Sequence, residues 1–232
     1  MKKHRFIGNF NLSSEHLIVD DVELSSQLAK VLRLKEGDEV VLCDGRGFEA
    51  HAEIRSLRKM SVSFRLRTKY QVETEPEKRV TLYCSILKRE NFELAVQKAT
   101  ELGVFAIVPV LSARTVKQEI NPARLAKIMR EAAEQSGRGV VPELKAPLAF
   151  TDAIDEGRKY DERLFFHLSG ELFGSQKRKG ASVGLFIGPE GGWEESEVAS
   201  ARERDFAIIS FGPLTLRAET AAIVASYLSR EE

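Results

Sequence analysis

From Val80 onward the chain alternates strand-length apolar runs with helical segments, and that alternation restricts this part to an α/β architecture with a parallel sheet. The strand candidates are VTLYCSI, AIVPVL, RLFFHL, SVGLFI and AIISF. The helical ones are NFELAVQKATELG, PARLAKIMREAAEQSG, a stretch from about Glu194, and TAAIVASYL. The second helix is well punctuated: Asn121 suits a cap, Pro122 the first helical position and Gly137 the stop. Its apolar face is Leu125, Ile128, Met129, Ala132 and Ala133.

The first part reads differently. Between Arg5 and Tyr70 short strands surround one helical stretch, SSQLAKVLRL, and Asp44-Gly45 is a strong hairpin signal between two strand runs. A small β-barrel fits that pattern. The polar stretch QVETEPEKR interrupts both patterns and marks the linker, dividing the chain into residues 1–72 and 73–232. A chain of 232 residues is long enough for two cores.

Composition excludes several classes. No apolar run approaches the roughly 20 residues that span a bilayer, and the basic start lacks the apolar core and cleavage site of a signal peptide, so a cytoplasmic protein is expected, with no membrane association. Cys43 and Cys84 lie in strand-like runs and read as buried thiols, and the four histidines are scattered, so no metal is expected. Net charge is zero, but it is unevenly spread: residues 1–72 hold thirteen Lys and Arg against ten Asp and Glu. Arg55, Arg58, Lys59, Arg65, Arg67 and Lys69 follow one another with no intervening carboxylate, a stripe that suits either a phosphate backbone or a solvated strand face.

Two glycine-proline turns stand at the ends of apolar strands, IGPEGGW at 187–193 and FGPLTLRAET at 211–220. In an open α/β sheet ligands bind beyond the carboxyl ends of strands, so two such loops can form one pocket. No GxGxxG follows an early strand and no GxxxxGK is present, which argues against a dinucleotide or a phosphate-cradling loop.

These motifs carry a resemblance. IGPEGG, FGPLTLRAETA, QKATELGV at 97–104, EAAEQSGR at 131–138 and VLRL at 31–34 are similar, in order and over nearly the whole chain, to the RsmE family of small-subunit ribosomal RNA uridine N3-methyltransferases in the SPOUT superfamily. The resemblance implies an amino-terminal PUA-like RNA-binding β-barrel and a SPOUT α/β domain whose last part forms a deep trefoil knot. It also implies S-adenosylmethionine as cofactor, a homodimer, and small-subunit ribosomal RNA, free or within an assembled subunit, as partner. The expected cofactor residues are His167 and Leu168, Ile187, Gly188, Pro189, Glu190, Gly191 and Gly192, and Phe211, Gly212, Pro213 and Leu216. Arg33, Arg114 and Arg138 join the basic stripe as RNA-binding candidates, and Arg217 and Glu219 are expected to face the target base.

The chemistry explains why such residues would be needed. Uracil N3 carries a proton, and its removal spreads negative charge over O2 and O4, which a guanidinium can stabilise as an oxyanion hole does. Arg217 is the candidate for that task. Glu219 either orients Arg217, accepts the proton, or merely caps the last helix; Glu190 is the weaker base candidate because it sits in the cofactor loop. Trp193 is expected to pack the base of that loop. The competing reading is a non-catalytic RNA-binding ribosome-assembly factor that uses the knotted domain as a dimerisation scaffold. Two intact cofactor loops favour the enzyme.

Overall fold

The computed structural model describes residues 3–116, 119–174 and 180–230. The chain divides into two compact units, one of residues 1–75 with 133–141 and one of residues 76–132 with 142–232.

The first unit is built on a five-stranded sheet in the order β1-β3-β4-β5-β2. Its strands are β1 (Arg5–Ile7), β2 (His16–Val19), β3 (Glu39–Cys43), β4 (Phe48–Leu57) and β5 (Val62–Gln71). All neighbours pair antiparallel except β1 with β3. The hairpin forms where Asp44-Gly45 predicts it: the Asp44 carboxylate accepts from the Arg46 and Phe48 N–H groups, closing the β3–β4 turn. The helical stretch begins earlier than expected, as α1 (Val22–Ser26) capped by Asp21, and continues as a π-helical turn over Gln27–Val31. Leu24 and Leu28 go into the core with Val40, Leu42, Ile54 and Phe64.

The polar stretch after β5 is not free chain. Glu75 accepts from Nε and Nη2 of the Arg138 guanidinium and from the Gly139 and Val140 N–H groups. That set of bonds groups residues 133–141 with the first unit.

The second unit is the expected parallel sheet, in the order β12-β10-β11-β6-β7-β8, with β9 also pairing β7. Its strands are β6 (Arg79–Ser85), β7 (Ala106–Leu111), β8 (Glu143–Leu144), β9 (Leu148–Ala149), β10 (Glu162–Leu172), β11 (Ser182–Ile187) and β12 (Ala207–Ser210). Helices α2 (Arg89–Glu101), α3 (Pro122–Ser136), α5 (Glu195–Glu203) and α6 (Ala218–Arg230) follow the sequence pattern, and the Asn121 side chain caps α3 through the Arg124 N–H. Helix α4 (Phe150–Gly157) was not anticipated. Phe165 and Phe186 from the sheet, Phe150 from α4, Trp193 and Phe206 form one aromatic core. Each such side chain contributes about 1.5–3 kcal/mol on burial.

The register of β10 against β12 breaks between Phe166 and Glu171. His167 and Leu168 therefore leave the ladder at the level where β11 ends. The sequence pattern does not show this irregularity.

Candidate functional site

At the carboxyl ends of β10, β11 and β12 lies a cavity of about 770 Å³. That is within the range of roughly 300–1,000 Å³ typical of small-molecule sites. Of the twelve residues expected to hold cofactor, His167, Leu168, Ile187, Gly188, Pro189, Glu190, Gly191, Gly192, Phe211 and Leu216 line it, together with Arg217 and Glu219. Gly212 and Pro213 are not among the lining residues but lie in the same loop, between Phe211 and Leu214.

Local physics fixes these loops. A Cβ on Gly188 would stand 3.0 Å from the Trp193 indole nitrogen, so a larger residue there would have to push the indole or the loop aside by a few tenths of an ångström. Gly192 takes φ +71°, a conformation open to glycine at little cost. Trp193 is 3% exposed and donates to the Phe166 carbonyl at 3.2 Å, tying the loop to the last regular residue of β10. It packs the loop base, as the sequence reading holds. Glu194 occupies the cap of α5, and Glu197 accepts from the Glu194 N–H at 2.8 Å and from the Ala113 N–H at 3.0 Å. A glutamate pair thus replaces the shorter cap that this position usually prefers.

Arg114, Lys88 and Asn91, outside the expected cofactor set, add to the wall. Arg114 donates to the Gly191 carbonyl at 2.9 Å, which brings it to the cavity rim. The buried hydroxyls of Ser85, Ser112 and Thr115 bond one another and hold the turn that carries it. Asn91 and Lys88, at the start of α2, also line the cavity. The Glu190 carboxylate accepts from the Lys88 N–H at 2.9 Å and from the Asn91 amide at 3.4 Å. Burial pushes its pKa up, but these hydrogen bonds outweigh burial and hold it below the ordinary glutamate value. The sequence signal for this tie was a helix start that lacks a side-chain cap of its own; Glu190 supplies one from another loop.

Arg217 and Glu219 differ sharply. Arg217 is exposed and, among the described residues, its guanidinium makes no hydrogen bond or ion pair. Glu219 is 6% exposed, in the first turn of α6, and its Oε2 is buried without a partner among the described residues. No Arg217–Glu219 ion pair forms among them.

The RNA-binding candidates fall into three groups. Arg65, Arg67 and Lys69 alternate along one exposed face of β5, and Arg55 lies on β4 beside it. The face carries carboxylates that the linear run conceals: Glu15 pairs with Arg65, Glu39 and Glu53 with Arg67, and Glu53 with Arg55. Lys69 instead lies over the Phe48 ring. A polar cavity of about 620 Å³ opens beside Arg65, Arg67 and Lys69. Arg58 and Lys59 are exposed in the β4–β5 turn, and Arg33 is exposed with φ 55°. Arg138 is a different case, 5% exposed and committed to Glu75, which gives it a structural task in place of the phosphate contact expected of it.

Both cysteines are buried, and burial pushes each thiol up to about 12. Among the described residues no group of three or more His, Cys, Asp or Glu is placed to hold a metal ion, and no helix is long and apolar enough to cross a membrane.

Comparison with known proteins gives concordant matches. Residues 74–229 match the RNA methyltransferase domain family and residues 28–66 the RNA methyltransferase PUA domain. The chain is 32% identical over 213 residues to ribosomal RNA small subunit methyltransferase E of Bacillus subtilis, covering 85% of this chain and 83% of that one. The corresponding protein of Rickettsia conorii is 29% identical over 97% of this chain and 94% of its own length. Among solved structures, ribosomal RNA small subunit methyltransferase E from Neisseria gonorrhoeae, bound to S-adenosyl methionine, superposes with a TM-score of 0.91 at 29% identity, covering 97% and 95% of the two chains. A methyltransferase from Legionella pneumophila in complex with the same cofactor gives 0.89 at 29% identity over 99% and 96%.

Proposed function

The chain belongs to the RNA methyltransferase family, in the group of ribosomal RNA small subunit methyltransferase E, and from that premise we propose that it transfers the methyl group of S-adenosylmethionine to N3 of a uridine in small-subunit ribosomal RNA. The observation that carries the reading is the convergence of both glycine-proline loops, Arg217 and Glu219 on one cavity at the strand ends. A purely scaffolding domain has no need of such a cavity.

The residues fit the cofactor. Glycine at 188 lets the loop lie against Trp193, and the 187–192 and 211–216 segments bring backbone atoms within reach of a flat ring. When bound, S-adenosylmethionine supplies an electrophilic methyl on a sulfonium. The chain's own tasks are to align the acceptor and to make it nucleophilic. Arg217, at the rim and without a partner among the described residues, can aim its guanidinium at a uracil carbonyl and stabilise the anion as it forms. Arg114 braces the loop through Gly191.

On the first unit, Arg33, Arg55, Arg58, Lys59, Arg65, Arg67 and Lys69 form the proposed RNA face. We take the working form to be a cytoplasmic homodimer with the trefoil-knotted cofactor domain that the family resemblance implies, acting on RNA free or in an assembled subunit. Mass mapping of ribosomal RNA from cells lacking the protein tests the function. One methyl group should disappear from a uridine of the small-subunit RNA; an unchanged map contradicts the reading.

A further inference from the structure

We propose that Glu219 is the group that takes the N3 proton from the target uridine, an assignment that rests on the uridine N3 reading above. The cavity has three carboxylates, Glu190, Glu195 and Glu219. Glu190 is already occupied by the Lys88 N–H and the Asn91 amide, which serve the start of α2. Glu195 is exposed in the first turn of α5. Glu219 alone of the three combines burial with an open acceptor: it is 6% exposed, and its Oε2 has no hydrogen-bond partner among the described residues.

A buried acceptor without a donor is costly, and a fold retains one where a ligand brings the donor. The neighbours do not bring it. Arg217, two residues away, makes no ion pair with it among the described residues, so Glu219 does not act by orienting that arginine. The Cys84 thiol close by is held up mainly by burial, then by the negative charges of Glu190 and Glu219, and offers no relief. The other titratable groups facing the cavity are His167, whose Nδ1 is engaged with Ser169, and the cations Lys88, Arg114 and Arg217. Uracil presents an N–H at N3, the donor that Oε2 lacks.

In the step itself the N3–H bond breaks and its proton forms an O–H bond on Glu219. The electron pair left on N3 forms the bond to the methyl carbon, and the carbon–sulfur bond breaks with its pair remaining on sulfur. Charge balances, because the carboxylate and the sulfonium are both neutral at the end.

The test uses full-length Glu219→Gln in three measurements: calorimetry with S-adenosylmethionine, single-turnover transfer across pH, and transfer to RNA carrying 5-fluorouridine, whose N3–H is more acidic. Cofactor affinity should be unchanged and the transfer rate lower by about 10²- to 10⁴-fold. The deficit should shrink as pH rises and shrink again with 5-fluorouridine. Glu219→Asp, which keeps the carboxylate, should retain more activity with the wild-type pH profile, and serves if the Gln variant does not fold. Wild-type rates, a deficit indifferent to both pH and fluorine, or lost cofactor affinity with normal transfer at saturation would each overturn the assignment. Wild-type protein that leaves its methyl elsewhere than N3 would instead remove the functional reading, and nucleoside analysis of its product separates the two failures.

Discussion

The exposed face of β5 and the cavity at the ends of β10 to β12 both collect charged side chains, but they treat them in opposite ways. On β5 Arg65 and Arg67 are met by the carboxylates of Glu15, Glu39 and Glu53, and Glu53 also pairs with Arg55 on β4, so half of the six-cation stripe is neutralised locally. In the cavity, among the described residues, Arg217 is left unpaired at the rim and the Glu219 Oε2 without a hydrogen-bond partner in the wall. A surface that tracks a backbone tolerates exchangeable pairs, because phosphates can displace exposed carboxylates at small cost. A site that does chemistry must hold groups free for the substrate, and that costs stability.

The largest expected effect breaks the comparison on the cavity side. Arg217→Ala should lower methyl transfer by about 10² to 10³, the usual loss for one oxyanion donor, while leaving cofactor affinity intact. Arg217→Lys should restore little, since a point charge lacks the planar fork. Single-turnover kinetics alongside calorimetry checks both. Equal turnover in variant and wild type would put Arg217 among the ordinary surface cations.

A smaller effect sharpens the comparison on β5. Lys69, which has an aromatic partner and no carboxylate partner among the described residues, should weaken RNA binding more on truncation than Arg67, which sits between Glu39 and Glu53. The slope of log affinity against log salt should fall by about 0.7 for Lys69→Ala, the value for one phosphate of a single strand. Glu53→Gln, which releases Arg55 and leaves Arg67 with Glu39 alone, should strengthen binding. Filter binding at several salt concentrations measures all three, and a Glu53→Gln protein that binds RNA more weakly would show that the pairs are part of the binding geometry.

The smallest effect concerns a polar cluster with its groups engaged. Glu156 accepts from the Tyr83 hydroxyl, Lys145 and Lys159. Burial works against its ionised form, but those hydrogen bonds outweigh it and hold the carboxyl at about 2, against 4.5 ordinarily. Because the folded value is depressed, this stabilisation is present above pH 4.5 and is lost as pH falls toward 2. Glu156→Gln should lower the melting temperature at pH 7 by about 2–4 °C, the shift for ~1 kcal/mol in a chain of this size, and the gap should close on acidification. A gap that stays constant with pH contradicts the assignment.

The sequence made the architecture of the second unit readable because each strand is a short apolar run and each helix has a 3.6-residue apolar stripe. It hid α4, although Phe150, Ala153, Ile154 and Gly157 have helical spacing, because eight residues without a capping side chain look like loop. It located both loops that line the cavity, since the glycines and prolines are local signals. It missed partners that meet only in space: Arg114 with Gly191, Asn91 with Glu190, and Arg138 with Glu75. Arg114 and Arg138 look alike in sequence, each near the end of an element. One reaches the cavity rim and the other is buried on a glutamate 63 residues away, a distinction set by long-range packing.

We propose that the cavity transfers a methyl group from S-adenosylmethionine to uridine N3. The most direct test incubates the full-length protein with methyl-labelled S-adenosylmethionine and small-subunit ribosomal RNA from cells that lack the protein, then identifies the labelled nucleoside by digestion and mass spectrometry. The account predicts one labelled product, 3-methyluridine, formed by the wild type and nearly absent with Arg217→Ala. Label in the ribose, in another base, or in no nucleoside at all would contradict it.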